Sequence, residues 1–428
     1  MTRSWRPVAG LFAASLVALT GTRVSSIAIP WFVLVTTGSV TQTGLVAFCE
    51  MAPYVLVKAL SGPVVDRVGP RRISWRADAV SAVAAATIPV LHVSELLSFP
   101  LLLVLVAIIG GVRGPGDLAK EIMVPEAAER GRIPLERAAG LAGVAERLAS
   151  TVGPALAGVL VALTGPMIGL VVNAVCFALG SVIVATVLPK DMGHRPAATG
   201  PQPGYWRRFG EGFTFLRSER LMLTITIMVG ITNLLDAAFS SLLLPVWAKE
   251  TGGGPAAIGL AASAMGISAV AGSLIAAMVA HRLPRRTVFF LGFLVIGAPR
   301  FLILAFDVPL WAVIAVFAVG GFGSGFLNPI IGAIYFERVP RAMLGRVNSL
   351  SDAVAWSGIP LGGLLAGAAV AATGLAPVLV ACGVAYFLTT TLTGLRPEWR
   401  QMRRQTGGPV EAESGGGDPR AGQEQRTP

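Results

Sequence analysis

The chain has 428 residues, 54% hydrophobic and only 13% charged, with a mean hydropathy of +0.71. Soluble domains carry about a quarter charged residues, so a water-soluble enzyme or binding module is excluded as a description of the whole. The net charge of +11 does not signal nucleic acid, because Lys and Arg fall in short clusters between apolar runs rather than on one polar face.

Apolar runs long enough to cross a bilayer as helices, about 20 residues each, recur along the chain. Twelve spans are predicted, roughly at 9–35, 43–65, 74–93, 98–120, 138–162, 167–188, 221–247, 256–280, 287–306, 309–335, 347–371 and 376–395. They are helices because a lipid-exposed backbone must satisfy its own hydrogen bonds, and the runs are too long and too evenly apolar for barrel strands. Arg3 and Arg6 before the apolar stretch Val8–Leu19 imitate a signal peptide. The run continues to about Val35 without a small-residue cleavage site, so it is read as the first span.

Charges inside a membrane are costly and mark candidate functional positions. The first span carries Arg23 and the second Glu50. At about 1.5 Å per residue both lie roughly 13–18 Å from the outer helix ends, close enough in depth to pair across one helix interface. After the second span comes Gly62-Pro-Val-Val-Asp66-Arg67-Val-Gly69-Pro-Arg71-Arg72, read as a tight charged turn at the membrane surface. The fourth span holds Arg113 and Asp117 at helical spacing. In the fifth, Arg147 shares a face with Gly143, Ser150, Pro154 and Gly158, and Glu146 is its neighbour.

The longest internal connection, 189–220, divides the chain into two six-span halves, 1–188 and 221–396. Its second part, Tyr205 to Arg217, spaces Trp206, Phe209, Phe213 and Leu216 as an amphipathic helix would, which suits the surface of the inner leaflet. In the seventh span Asp236 is the one acid, with Asn233 a turn before it and no basic partner in its own helix. That places Asp236 above Glu50 as a titrating group, since Arg23 near Glu50 would hold the latter ionised. Arg300 lies in the ninth span. The tail, 397–428, is rich in Gly, Glu and Gln without apolar periodicity and is expected to be disordered.

A single offset of 209 residues carries Arg137 to Arg346, Leu141 to Leu350, Gly153 to Gly362, Gly158 to Gly367, and Thr164-Gly165 to Thr373-Gly374. The fifth and eleventh spans are therefore copies, as in transporters built from parallel halves. Of the 34 Lys and Arg, 27 fall in segments on one side of this topology, and only Lys249 falls in a loop on the other. The excess of basic residues puts both termini in the cytoplasm.

The Gly-x-x-x-Asp-Arg-x-Gly-x-Arg-Arg pattern, placed after the second span, resembles the signature loop of the major facilitator superfamily. A degenerate copy, His281-Arg282-Leu283-Pro284-Arg285-Arg286, follows the eighth span without the carboxylate. Gly153-Pro154-Ala-Leu-Ala-Gly158 resembles the exporters' antiporter motif with one glycine replaced, and its copy reads Gly358-Ile-Pro360-Leu-Gly362-Gly363. Pro30-Trp31, Thr37-Gly38-Ser39 and Gly345-Arg-Val-Asn-Ser349 are similar to the branch containing enterobactin and macrolide exporters.

The resemblance implies an all-α membrane protein of twelve helices in two pseudo-symmetric halves. It implies alternating access and proton-coupled export of a hydrophobic or amphipathic small molecule by a monomer in the cell membrane. It also implies a gating loop of Gly62, Asp66, Arg67, Gly69, Arg71 and Arg72, with Asp66 latching onto the start of the eleventh helix near Arg346. Arg113 resembles the family's fourth-helix arginine, although the following Gly-Pro-Gly departs from that motif. The resemblance also implies that the ninth span, and Arg300 with it, is peripheral. An importer, a flippase of lipid-like substrates and a non-transporting sensor of the same fold stay open.

The intramembrane charges Arg23, Glu50, Arg113, Glu146, Arg147 and Asp236 are the candidate substrate and proton site. Gly153, Pro154, Gly158, Pro360, Gly362 and Gly363 are the candidate packing seam. No cofactor and no metal is expected. No Gly-Lys dipeptide exists for a phosphate loop, His92, His194 and His281 form no ligand pattern, and Cys49, Cys176 and Cys382 lie singly in apolar runs. Gly320–Gly325 is read as helix packing rather than a nucleotide loop.

Overall fold

The computed structural model describes residues 5–133, 135–192, 205–279, 283–339 and 344–402. Those residues contain helices and no strand. The first half is α1 (Arg6–Thr37), α2 (Val40–Leu60), the short α3 (Gly62–Val68), α4 (Pro70–Val93), α5 (Phe99–Gly131), α6 (Leu135–Thr164) and α7 (Pro166–Val187). The linker helix α8 (Tyr205–Ser218) precedes the second half. That half opens with α9 (Arg220–Ala238), which passes through a π-helical turn, Phe239–Leu243, into α10 (Leu244–Glu250). It continues with α11 (Gly254–Val279), α12 (Arg285–Ile296), α13 (Ala298–Leu304), α14 (Leu310–Ser324), α15 (Leu327–Arg338), α16 (Leu344–Ser357), α17 (Ile359–Thr373) and α18 (Leu375–Gly394).

Ten of these helical runs are long and apolar enough to cross a bilayer, and the shorter Val152–Thr164 and Leu310–Ser324 stand in the fifth and tenth places. Four predicted single spans are interrupted. The seventh carries the π-turn, and the ninth breaks at Gly297, the tenth at Gly325–Phe326 and the eleventh at Gly358. Proline at the second position of α13 and of α17 explains two of the breaks, because its ring cannot accept the preceding turn's carbonyl.

Within the first half α1 packs on α7 and α6, α2 on α5, and α4 on both α5 and α7. In the second, α11 packs on α14, α9 on α16, α17 and α18, and α13 on α18. The halves meet along two helix pairs, α6 with α11 and α2 with α17. Both pairs approach through small residues. A Cβ on Gly158 would sit 2.6 Å from the Pro255 carbonyl, and one on Gly44 would fall within the contact distance of the Gly363 carbonyl. Such close backbone approach is how helices associate in lipid, where no hydrophobic drive separates them from the solvent.

The repeat is visible in the backbone. α6 ends at Thr164 with Gly165 at φ 83°, and α17 ends at Thr373 with Gly374 at φ 84°. The 209-residue offset carries the start of α6 onto the start of α16.

The signature motif is helical rather than a loop. Gly62–Val68 forms α3, Gly69 turns at φ 95°, and Arg71 and Arg72 stand in the first turn of α4. Pro70 suits that first turn, where its missing N–H has no helical partner to lose. Arg71 donates through Nε to the Leu188 carbonyl at 2.9 Å and through its guanidinium to Ala185, closing the C-terminal end of α7. The degenerate copy does the same: Arg286 at the start of α12 donates to the Gly394 carbonyl of α18 at 3.2 Å. Cations at a helix C-terminus also complement its dipole.

The linker helix exists as expected. Its Leu216 is buried with Met222, Val339, Val347 and Leu350, so it docks on α9 and α16. Phe213, by contrast, is exposed.

Candidate functional site

A stripe of charge runs along the face where α2 meets α5. On α2, Glu50, Tyr54 and Lys58 stand at successive helical turns; on α5, Arg113, Asp117, Lys120 and Glu121 do the same. Arg113 pairs with Glu50 at 3.2 Å, the side chains 9% and 12% exposed. Its guanidinium also lies 4.5 Å from the Tyr54 ring centre, a cation–π contact. Lys120 reaches Asp78 of α4 at 2.9 Å, and Lys58 reaches Glu121 at 2.9 Å. Asp117 accepts a hydrogen bond from the Tyr54 hydroxyl at 3.3 Å and stands 3.8 Å from Arg113 and 3.9 Å from Lys120.

Glycine makes room for this stripe. A Cβ on Gly110 or Gly114 of α5 would collide with the backbone of α2 at Glu50 and Tyr54, so the two helices touch where the charges cross.

The stripe faces the other half. The Tyr54 ring stacks on Trp356 of α16, centroids 6.4 Å apart and nearly parallel, and the Lys58 ammonium lies 5.3 Å from the Trp356 ring. At the end of the bundle where α1 gives way to α2 through Gly38, Lys249 of α10 donates to the Leu34 carbonyl of α1 at 2.8 Å. The one basic loop residue on that side thus bridges the halves.

The second half has an ion pair of its own, buried on the arginine side and 37% exposed at the carboxylate. Arg300 of α13, 6% exposed, is ion-paired to Asp236 of α9. Its guanidinium lies 4.9 Å, 5.1 Å and 5.6 Å from the rings of Phe239, Phe301 and Tyr386. Asn233 ties α9 to α16 through the Ala355 carbonyl at 3.0 Å. The π-turn begins three residues after Asp236, a departure that occurs mostly at functional positions.

Three expectations are corrected. Glu50 pairs with Arg113, not Arg23. The Arg23 guanidinium donates instead to Ser150 of α6 at 2.8 Å, and its Cβ lies against Gly153, because α1 packs on α6 more closely than on α2. Arg300 is not peripheral: the break at Gly297, where the Tyr386 ring occupies the space of a side chain, turns α13 so that Arg300 meets α9. With Arg300 beside it, Asp236 loses the reason for which it outranked Glu50.

Asp66, Glu146 and Arg147 have side chains outside the described residues, as does Arg346 at the expected latch. Gly62 and Gly69 lie on α3 and at its end. Arg67 is exposed. Gly153, Gly158, Gly362 and Gly363 all sit at helix contacts: a Cβ on Gly362 would lie 2.5 Å from the Leu234 carbonyl and one on Gly363 2.8 Å from the Ser241 hydroxyl. A Cβ on Gly259 would lie 2.8 Å from the Pro154 carbonyl, and Pro360 stands in the first turn of α17. Gly321 and Gly325 abut α11, as a packing segment at Gly320–Gly325 requires. Tyr54, Lys58, Asp78, Lys120, Glu121 and Trp356 belong to the site without having been singled out for it. The turn-by-turn spacing of the charges on α2 and α5 was the signal that could have found them.

Two six-helix halves joined along glycine seams, with ion pairs buried where they face each other, define a membrane transporter of the major facilitator type. The family model for transmembrane secretion effectors matches residues 6–409, and the chain belongs to that family. Among relatives, it is 30% identical over 392 residues to the multidrug efflux pump Tap of Mycobacterium tuberculosis, covering 91% of this chain and 93% of the relative. To the pump of the same name in Mycolicibacterium fortuitum it is 26% identical, covering 94% and 98%. The fold matches the nucleoside transporter NupG at TM-score 0.72 and 13% identity, covering 92% of this chain and 98% of NupG. It matches a bacterial homologue of the lysosomal transporter Spinster, described as inward-facing and unoccupied, at 0.68 and 13%, covering 95% and 100%.

Proposed function

We propose that the protein is a proton-coupled exporter of hydrophobic or amphipathic small molecules. It would act as a monomer in the cell membrane with both termini in the cytoplasm. The observation that carries this reading is the buried charged stripe of α2 and α5 turned toward Trp356 of the opposite half. A polar strip lined by aromatic rings between two rocking halves suits an amphipathic guest, whose apolar body needs ring faces and whose polar group needs charge. The full-length relatedness to pumps named for multidrug efflux supports the outward direction. The one-sided distribution of Lys and Arg supports the orientation.

On this reading residues 1–188 and 221–396 are the two moving halves, 189–220 the cytoplasmic linker and 397–428 a tail. The start of that tail is ordered, not disordered as expected: Pro397–Met402 is a short helix with Trp399 buried against Phe289 of α12. The contacts at the Gly38 end, with the Lys249–Leu34 bridge and the glycine seams, hold the outer side closed. The pairs Glu50–Arg113 and Asp236–Arg300 respond to substrate and proton, and Arg23, Glu146 and Arg147 complete the candidate site. Asp66 latches the cytoplasmic side within the motif that also contains Gly62, Arg67, Gly69, Arg71 and Arg72.

The test uses ethidium as the probe in inverted membrane vesicles. An acid-inside gradient is expected to drive ethidium into the vesicles, and a protonophore is expected to abolish the uptake. Uptake confined to right-side-out vesicles would overturn the export direction.

A further inference from the structure

Among the described residues, seven charges are joined by ion pairs between α2, α4 and α5: the acids Glu50, Asp78, Asp117 and Glu121, and the bases Lys58, Arg113 and Lys120. Each base has one close carboxylate. Lys58 has Glu121 at 2.9 Å, Arg113 has Glu50 at 3.2 Å and Lys120 has Asp78 at 2.9 Å. Asp117 is the acid left over. Its two nearest bases stand at 3.8 Å and 3.9 Å and each already holds another carboxylate, while its closest polar contact is the neutral Tyr54 hydroxyl at 3.3 Å.

We propose that Asp117 is the carboxylate that carries the transported proton. The inference rests on the proton-coupled reading and adds its binding site. With all seven ionised these groups carry one more negative than positive charge, and Asp352 of α16 borders Lys58 and Glu121 outside that count. An uncancelled charge is expensive where the dielectric is low. One proton on Asp117 brings these seven groups to neutrality and leaves all three close pairs standing. The same proton on Glu50, Asp78 or Glu121 would instead break one of the three close pairs and leave its base to a longer contact. Asp117 also has access: its side chain is 27% exposed, against 12% for Glu50 and 2% for Asp78, while the more exposed Glu121 is held by Lys58 at 2.9 Å. The proton arrives from water on one side of the membrane, forms an O–H bond at an Asp117 oxygen and leaves to water on the other. No other bond forms or breaks.

The position also explains how the proton reaches the moving parts. Tyr54 donates its hydroxyl to Asp117 and stacks its ring on Trp356, so one side chain touches both the proton site and the opposite half. The titratable and charged groups that face Asp117 are Arg113, Lys120 and Glu121 on α5, Glu50, Tyr54 and Lys58 on α2, Asp78 on α4, and Asp352 across the interface on α16. The side chains of 134–148 on α6 and of Asp66 on α3 lie outside the described residues.

The experiment uses the full chain in liposomes with two readouts. Infrared difference spectra between acid and alkaline buffer report the stretch of a protonated carboxyl group. The band is expected in the unsubstituted protein, in Asp236→Asn and in Asp117→Glu, and is expected to vanish in Asp117→Asn. Transport of ethidium driven by a pH gradient is expected to fall at least tenfold in Asp117→Asn while ethidium exchange without a gradient continues. A band that persists in Asp117→Asn, or one lost in Asp236→Asn, overturns the assignment. Ethidium transport by the unsubstituted protein that ignores the gradient overturns the proton-coupled reading itself, an outcome separate from the infrared result.

Discussion

Arg113 and Arg300 are each held by a carboxylate on a neighbouring helix and by the face of an aromatic ring. Guanidinium suits such sites because it is planar, always charged and weakly hydrated. Arg300→Lys is expected to lower stability by about 1–2 kcal/mol through lost ring contacts, although its charge is kept. Thermal melts in detergent would measure this, and an unchanged melting temperature would remove the rings from the account. Glu50→Gln leaves Arg113 without its close carboxylate and is expected to cost about 3–5 kcal/mol, the range for breaking a buried pair. Glu50→Gln with Arg113→Met removes both charges and is expected to regain most of that stability without regaining transport. A double variant no more stable than Glu50→Gln would show that the pair is not the source of the loss.

The helices act through their contact lines. α6 meets α11, and α2 meets α17, at glycines whose missing side chains let backbone touch backbone. A methyl or isopropyl group there must push two halves apart. Gly44→Val and Gly158→Val are therefore expected to insert normally but to slow ethidium transport at least tenfold. Gly210→Ala on the linker helix, where nothing lies within 4 Å, is expected to leave it unchanged. Normal transport by both valine variants would mean that the seams do not set the rocking motion. Arg71 works at the same scale: by joining the start of α4 to the end of α7 it makes part of the signature motif a clamp inside one half. The proposed Asp66 latch between the halves would be a separate role for the same eleven residues. Asp66→Asn is expected to slow transport while leaving insertion intact, and Arg71→Ala to lower the melting temperature. Equal melting of Arg71→Ala and the unsubstituted protein would dismiss the clamp.

At the level of the whole molecule the orientation in the bilayer sets which end of the cavity opens to which side. In a variant without Cys49, Cys176 and Cys382, a cysteine at Gly253 is expected to react with an impermeant reagent in intact cells. A cysteine at Gly200 is expected to react only after the membrane is opened. Labelling of the Gly200 position in intact cells would invert the topology and the direction of transport with it.

Much of the molecule can be read from one dimension. The twelve spans follow from run length, because a bilayer demands a fixed thickness of apolar helix. The copy of α6 in α16 and α17 follows from spacing, because duplicated helices keep their glycines and their Thr-Gly ends. Interruptions at Gly297 and Gly358 are less legible, since glycine and proline are common within membrane helices that stay continuous. Partners within one helix could be read, as Arg113 with Asp117 one turn on, but the partners between helices could not. Arg23 and Glu50 stand at matching depth on adjacent spans, yet Glu50 takes Arg113 and Arg23 takes Ser150. Depth is a property of one helix, whereas pairing depends on the rotation of two helices about their axes, and that rotation is set by where their glycines let them touch. The same reason hid Arg300. Its distance along the chain from Asp236 carries no information about contact, and only the packing of α13 beside α9, around the rings of Phe239, Phe301 and Tyr386, brings the two charges together.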